Sequence, residues 1–318
     1  MGAALALSER GRGRTAPNPN VGCVIVKDGR VVGRGWTQPG GRPHAEAMAL
    51  AEAGAKSRGA TSYVTLEPCA HQSPRGPACS DLLIAAGVAR VVIALGDPDA
   101  RTDGDGIARL IAAGIAVATN VRAEEARRSM AGFFSRQTLG RPEVTLKLAL
   151  SLDGAVAMGD GTSKWITGPE ARAHAHLERA RHEAILVGRG TLEVDSPALD
   201  VRLAGLEERS PRRLALSSDG VAPDGWEGLR SPADIAGLEA VDHVLVEGGA
   251  ATAAAFLEAD LVDRLLLYRA PILIGGGRTL PDIGLGDLSE AHGRWALQDA
   301  RRLGSDRVEV YERVKGLA

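Results

Sequence analysis

Pro43-His44-Ala45-Glu46, answered downstream by Pro68-Cys69-Ala70-His71 and then Cys79, decides how this chain is read. A histidine, a glutamate and two cysteines in this order match the signature of zinc deaminases. Three such ligands satisfy a soft dication and leave the fourth tetrahedral position for water. The expected ligands are His44, Cys69 and Cys79, with Glu46 left free to carry protons. Pro43 predicts a helix at whose first turn it stands. Residues two apart in a helix diverge by about 200°, so His44 and Glu46 can share a target only where the backbone is entering the helix. Cys69 is expected at the carboxyl end of a strand. Cys79 is expected at or just before a helix start, where free N–H groups lower a thiol's pKa.

Outward from this stretch the elements alternate. Residues 3–11 suggest a short helix. Val21 to Val26 and Val31 to Trp36 read as two strands joined by the turn at Lys27-Asp28-Gly29-Arg30. Further strands are expected at 62–66, 88–95 and 115–119, and helices at 77–86, 106–113 and 123–136. This is a hairpin followed by βα repeats, complete near residue 138. Leu139-Gly140-Arg141-Pro142 marks the expected boundary, giving domains 1–140 and 141–318. The second half predicts strands at 144–150, 184–187, 213–217, 243–247 and 264–268, helices at 169–182 and 250–258, and a closing pair at 295–301 and 306–313. Residues 203–212 and 219–240 read as surface loops.

The 318 residues are 44% hydrophobic, 25% charged and 3% aromatic, with a formal net charge of −2. That balance argues against a nucleic-acid partner, which favours basic and aromatic surfaces. Three cysteines, Cys23, Cys69 and Cys79, do not suggest a disulfide scaffold; Cys23 reads as a buried strand residue. Met1 to Leu7 is too short and uncharged for a signal peptide, and no run approaches the roughly 18 apolar residues of a membrane span. The expectation is a cytoplasmic protein without a membrane partner.

Cys69 and Cys79 enclose nine residues, among them His71, Arg75 and two prolines. With Pro17-Asn-Pro-Asn-Val-Gly-Cys-Val-Ile-Val26, Ile84-Ala-Ala-Gly-Val-Ala-Arg-Val-Val92 and Asp97-Pro98, this loop resembles the bifunctional riboflavin-biosynthesis deaminase/reductases. The resemblance implies a cytidine-deaminase-like three-layer α/β/α domain that deaminates a phosphoribosylated diaminopyrimidinone. It implies that Asn20 hydrogen-bonds the ring and that His71 and Arg75 lie near the ribose phosphate.

The second half lacks a Gly-x-Gly-x-x-Gly fingerprint. It carries Val244-Leu-Val-Glu-Gly-Gly-Ala-Ala-Thr252, a strand entering a helix through two glycines, where free N–H groups can cradle a diphosphate. Lys147 to Gly154, Ser163-Lys-Trp-Ile-Thr167, Gly190-Thr191, Asp195-Ser-Pro-Ala-Leu199 and Arg202 resemble the reductase half of the same family. The resemblance implies a dihydrofolate-reductase-like α/β domain using NADPH to reduce the ribosyl group to ribityl. The implied cofactor contacts are Ala149, Trp165, Thr191, Asp195, Ser218, Gly249, Ala250, Ala251, Thr252, Ala253, Ala254 and Ala255. The implied substrate contacts are Ser163, Arg179, Leu199, Arg202 and Glu247. The expectation is a bifunctional enzyme with zinc and NADPH, a small-molecule substrate and a homo-oligomeric state, dimer or tetramer. The rival reading is a deaminase of another nucleoside or nucleotide whose C-terminal domain only binds or regulates.

Overall fold

Helix α1 (Gly2–Ser8) leads into strand β1 (Gly22–Lys27) of the computed structural model, which describes residues 1–71 and 74–314. Asp28 and Gly29 both take positive φ, 49° and 72°, as a two-residue hairpin turn requires. The chain returns as β2 (Arg30–Trp36) and continues through α2 (Ala45–Ala53), β3 (Thr61–Val64), α3 (Cys79–Ala86), β4 (Arg90–Ile93), α4 (Asp105–Ala112) and β5 (Ala116–Ala118). Helices α5 (Ala123–Ser129) and α6 (Ala131–Leu139) close this unit, Met1–Gly140. Its sheet runs β2-β1-β3-β4-β5, antiparallel through the hairpin and to β3, then parallel.

Glycines set how closely the helices approach the hairpin. A Cβ on Gly35 would lie 2.1 Å from the Ala45 carbonyl oxygen of α2, and one on Gly22 would lie 1.9 Å from that of Ala4 in α1. Gly35 pairs with Cys23, so it faces away from Gly22, and the two helices cover opposite faces. The missing side chain of Gly35 seats the start of α2 directly on the sheet, and that of Gly22 does the same for α1 on the other face. Ile25, Ala49, Val64, Leu83, Val91 and Ile93 fill the core between the layers.

Pro43 does not stand in the first helical turn. Helix α2 begins at Ala45 with His44 as its N-cap, extended at φ −73° and ψ 162°, and Pro43 precedes the cap. The expected single helix at 123–136 is two, broken at Met130 (φ −109°, ψ 23°). Met130 is fully buried and apolar, and the only nearby breaker, Gly132, lies inside the second helix. The apolar spacing therefore reads straight through it.

The second unit, Arg141–Ala318, contains β6 (Glu143–Leu150), α7 (Pro169–Arg179), β7 (Ala184–Gly188), α8 (Arg189–Asp195), β8 (Arg212–Leu216) and β9 (Glu227–Leu229). It continues through β10 (His243–Val246), α9 (Ala250–Glu258), β11 (Arg264–Arg269), β12 (Trp295–Leu303) and β13 (Asp306–Arg313). The strand order is β12-β13-β11-β6-β10-β7-β8-β9, parallel from β11 to β9 with β12 and β13 antiparallel at one edge. Strand β10 enters between β6 and β7, so the carboxyl ends of β6, β10, β7 and β8 form the crevice in which such sheets bind ligands. Sequence reading missed α8 and β9. Helix α8 buries no residue and β9 buries one, Leu229, so neither shows an apolar period.

Candidate active sites

The N-termini of α2 and α3 meet at the carboxyl end of β3, and that meeting brings His44, Cys69 and Cys79 together. One ligand atom from each lies within 4.8 Å of the others. His44 Nδ1 is 3.3 Å from Cys79 Sγ and 3.7 Å from Cys69 Sγ. The extended N-cap backbone of His44 turns its ring toward the same point as Glu46, which resolves the angular problem of residues two apart. Both cysteines are buried. Two soft sulfurs and an imidazole nitrogen at this spacing fit zinc and leave one tetrahedral position open.

The helix N-terminus does act on a thiol, but not on the one expected. Cys79 N–H donates to Cys69 Sγ at 3.3 Å. The Cys69 thiol is lowered to about 4, first by the Cys79 side chain hydrogen-bonded to it, with His44 and the Cys79 N–H adding to this against burial. The Cys79 thiol is raised, first by its hydrogen bond with Cys69 and then by burial. Without metal the pair holds a proton that a bound dication displaces.

Glu46 is 3% exposed and is not one of the clustered ligands. Burial pushes its carboxyl up to about 7, opposed by the nearby His44. A carboxyl that titrates near neutrality can both accept and return a proton.

Two asparagines flank Pro19, and the structure separates them. Asn20 is 2% exposed, and its amide donates to the carbonyl of Ser129 at 3.1 Å and toward that of Ser8 at 3.4 Å. The ring contact expected of Asn20 is therefore corrected: its donor ties α1 to the end of α5. Asn18 is the asparagine that reaches the cluster, its amide 3.0 Å from His44 Nε2. Gly41, at φ +87°, lies against that amide, where a Cβ would come within 2.7 Å. The atom facing His44 Nε2 is the Asn18 amide nitrogen, Nδ2; with Nδ1 turned to the thiols Nε2 carries the ring proton, and the same amide turned over presents its oxygen to accept it. Its only signal in the sequence was the repeated Pro-Asn of Pro17-Asn-Pro-Asn20.

Above the cluster opens a pocket of about 430 Å³, lined by residues including His44, Cys79 and Arg75. Arg75 also donates to the Gly40 carbonyl at 2.6 Å. His71 is not among the residues lining this pocket; its Nδ1 is 3.4 Å from Thr102 Oγ1. Buried Glu67 accepts backbone N–H groups from Gly104 and Ile107 at 3.2 and 3.0 Å, fixing the loop that carries Thr102.

In the second unit Arg179, Glu247, Arg202, Thr191 and Gly249, among the expected residues, are tied into hydrogen bonds and ion pairs. The Arg179 guanidinium grips Glu247 through two hydrogen bonds of 2.8 and 2.9 Å. Arg179 also donates to the Asp200 carbonyl at 3.0 Å, and Arg202 lies 3.4 Å from the Asp200 carboxylate. Lys147, which sequence reading did not single out, lies 3.5 Å from Glu247. A lone lysine in an apolar strand was its signal. Gly249 N–H donates to Thr191 Oγ1 at 3.3 Å, joining the starts of α8 and α9. A Cβ on Gly248 would lie 2.4 Å from Thr252, so the β10–α9 turn has space only for backbone. That open turn, with free N–H groups at the start of α9, fits a cofactor phosphate.

The remaining expected contacts divide. Ala149 and Ser163 are half-buried and Ser218 is exposed. Trp165 is 66% exposed, with the Arg172 guanidinium 4.9 Å from its ring. Asp195 pairs with Lys164 at 2.9 Å. The Leu199 side chain is buried against Ile185, Val187 and Leu245, which leaves its backbone as the part that can meet a ligand. The run Gly249 to Ala255 enters a helix, which turns its side chains through 100° per residue, so the run presents more than one face. Gly249 and Ala251 are exposed and Ala250 and Ala255 half-buried, whereas Thr252, Ala253 and Ala254 face inward.

Fold and site together define a zinc-dependent deaminase unit followed by an α/β unit with a cofactor crevice. Residues 1–95 match the cytidine and deoxycytidylate deaminase zinc-binding region, and residues 142–226 and 235–308 match the RibD C-terminal domain. The chain is 40% identical to the riboflavin biosynthesis protein RibD of Escherichia coli, over 96% of each chain. It is 40% identical to that of Mycobacterium tuberculosis, over 96% of this chain and 94% of the relative. Among solved structures it resembles RibD of Acinetobacter baumannii (TM-score 0.88, 35% identity, 99% and 98% coverage). It also resembles a diaminohydroxyphosphoribosylaminopyrimidine deaminase/5-amino-6-(5-phosphoribosylamino)uracil reductase from Thermotoga maritima (TM-score 0.89, 34% identity, 99% and 97% coverage).

The chain belongs to the RibD family and is a bifunctional riboflavin-biosynthesis enzyme, deaminase and reductase in one polypeptide. Its cofactors are zinc and NADPH, and its substrate is a small-molecule pyrimidine. Among the described residues no helix is long and apolar enough to cross a membrane.

Proposed function

We propose that this chain hydrolytically deaminates 2,5-diamino-6-(5-phosphoribosylamino)pyrimidin-4(3H)-one and then reduces the ribosyl group of the product to ribityl. The observation that carries the first step is the buried cluster of His44, Cys69 and Cys79 beside a carboxyl, Glu46, that is not one of the clustered ligands and hydrogen-bonds the Cys79 side chain. Zinc held by those three supplies a Lewis acid and a water acidified to near neutrality. Glu46 takes the proton of the attacking water, delivers it to the ring nitrogen, and passes a second to the departing amine. Asn18, with its amide oxygen turned to His44 Nε2–H, holds the ring in the tautomer whose Nδ1 faces the metal. Arg75 faces the phosphoribosyl side of the pocket, and His71 supports the loop beside it.

For the second step the β10–α9 turn, with Thr191, receives the phosphates of NADPH, which supplies the hydride. Arg179, Glu247, Lys147 and Arg202 face the ribose and its phosphate. The protein's part is to bind, orient and exclude water, because hydride transfer needs little else from its side chains. The two activities divide at Gly140/Arg141. The protein works in the cytoplasm as a homo-oligomer.

The reading is tested by supplying the deaminated intermediate with NADPH and following loss of nicotinamide absorbance. Turnover is expected at once with the intermediate, and with its aminated precursor only after a lag in which ammonia is released; in Glu46→Gln the precursor should give none while the intermediate still does. Cofactor binding without turnover would sink the reductase assignment.

A further inference from the structure

Two arginines reach over the mouth of the metal pocket from opposite sides. Arg75, on the segment between the two cysteines, extends to the Gly40 carbonyl at 2.6 Å. Arg42, two residues before the metal-facing histidine, extends the other way. Its Nη1 lies so close to Gly76 that a Cβ there would be 2.9 Å away. The segments around residues 40–42 and 75–76 are thus crossed by each other's guanidinium groups, and both groups line the pocket of about 430 Å³ whose floor is His44 and Cys79.

None of the described residues lining that pocket is acidic. Arg42 is half-buried and makes no ion pair among the described residues. Two like charges at one mouth repel each other unless an anion sits between them. Guanidinium groups present planar forks of donors that match phosphate oxygens in pairs. The pocket is of a size that accepts a small molecule.

We propose that Arg42 is a specificity-determining residue of the deamination step, closing with Arg75 on the phosphate of the substrate and selecting the nucleotide over phosphate-free analogues. Gly76 is part of the device. A side chain there would occupy the space of the Arg42 guanidinium, and its φ of +146° suits glycine alone.

This proposal rests on the reading that the metal site deaminates a phosphoribosylated pyrimidine. It is tested on the zinc-loaded full chain with Arg42→Lys, Arg42→Ala and Arg42→Glu. Zinc content, ammonia release, and inhibition of ammonia release by ribose 5-phosphate are measured for each. Loss of a charge-assisted phosphate contact raises KM by about 10- to 100-fold while kcat stays within about threefold. The inhibition constant of ribose 5-phosphate rises in parallel, in the order Lys, Ala, Glu, with zinc retained. Unchanged KM and inhibition constant in Arg42→Ala would overturn the proposal. So would a loss confined to kcat, or one accompanied by loss of zinc, because either marks a structural role. If the wild-type protein releases no ammonia from the substrate, the failure lies with the function and not with Arg42.

Discussion

Cys79 N–H donates to Cys69 Sγ, 3.3 Å away, so the first residue of α3 stabilises a thiolate ten positions earlier in the chain. The two cysteines are therefore unequal. Cys69 is set to be the thiolate, and Cys79 holds its proton until a metal displaces it. Cys79→Ser keeps this N–H donor and Cys69→Ser replaces its thiolate acceptor by a neutral hydroxyl, yet each deletes a thiolate ligand. Both variants are expected to lose most of the bound zinc, and the readout is metal stoichiometry after dialysis. A variant that keeps full zinc would remove that cysteine from the ligand set.

Glu46→Gln keeps the shape of the site and removes the proton carrier. Ammonia release should fall by about 10²- to 10⁴-fold, the usual contribution of a positioned acid–base group, with zinc content unchanged. Loss of zinc together with activity would instead make Glu46 a ligand.

Asn18→Ala removes the partner of His44 Nε2 without touching a ligand. An outer partner of this kind is worth about 10- to 100-fold in metal affinity, to be read by competition with a chromophoric chelator. Asn20→Ala should leave zinc affinity alone and lower the melting temperature, because its amide serves Ser8 and Ser129. The opposite pattern would restore Asn20 to the site.

These two asparagines show what was legible and what was not. That His44, Cys69 and Cys79 come together beside Glu46 could be read because zinc-deaminase chemistry demands those residue types in that order. The hairpin and the βα repeats could be read because burial imposes a period. Nothing in Pro17-Asn18-Pro19-Asn20 says which amide points inward; that depends on how α1 packs and on Gly41, far along the chain. Likewise the alanines of α9 are alike in sequence, and only the rotation of the helix divides those facing the crevice from those in the core. Lys147 and Arg42 were overlooked because a lone cation acquires meaning only from the carboxylate, or the pocket, that the fold places beside it.

Glu247 links pH to the stability of the second unit. Burial alone would raise its carboxyl, but Lys147 and Arg179 reverse this and hold it at about 2, below its ordinary 4.5. A carboxyl depressed in the folded state stabilises above its unfolded pKa, and that contribution fades as pH falls from about 4.5 toward 2. Glu247→Gln should therefore unfold at lower urea concentration than wild type at pH 7, with the gap narrowing below pH 4. A gap constant with pH would show that the Arg179 and Lys147 pairings do not act through charge.

A chain ending at Gly140 carries the whole metal cluster and the core that supports it. It should fold, bind zinc and release ammonia without oxidising NADPH. A folded fragment that binds zinc but releases no ammonia would place part of the deaminase machinery beyond residue 140.

The central claim is that the meeting of α2, α3 and β3 builds a zinc-dependent deaminase acting on a phosphoribosylated diaminopyrimidinone. Its most direct test is ammonia release from that substrate by the full chain, measured against zinc content during stepwise chelation and refilling. The expected result is release that rises and falls in proportion to zinc and reaches its maximum at one ion per chain. Release that persists in the zinc-free protein, or none from the fully loaded protein, would contradict it.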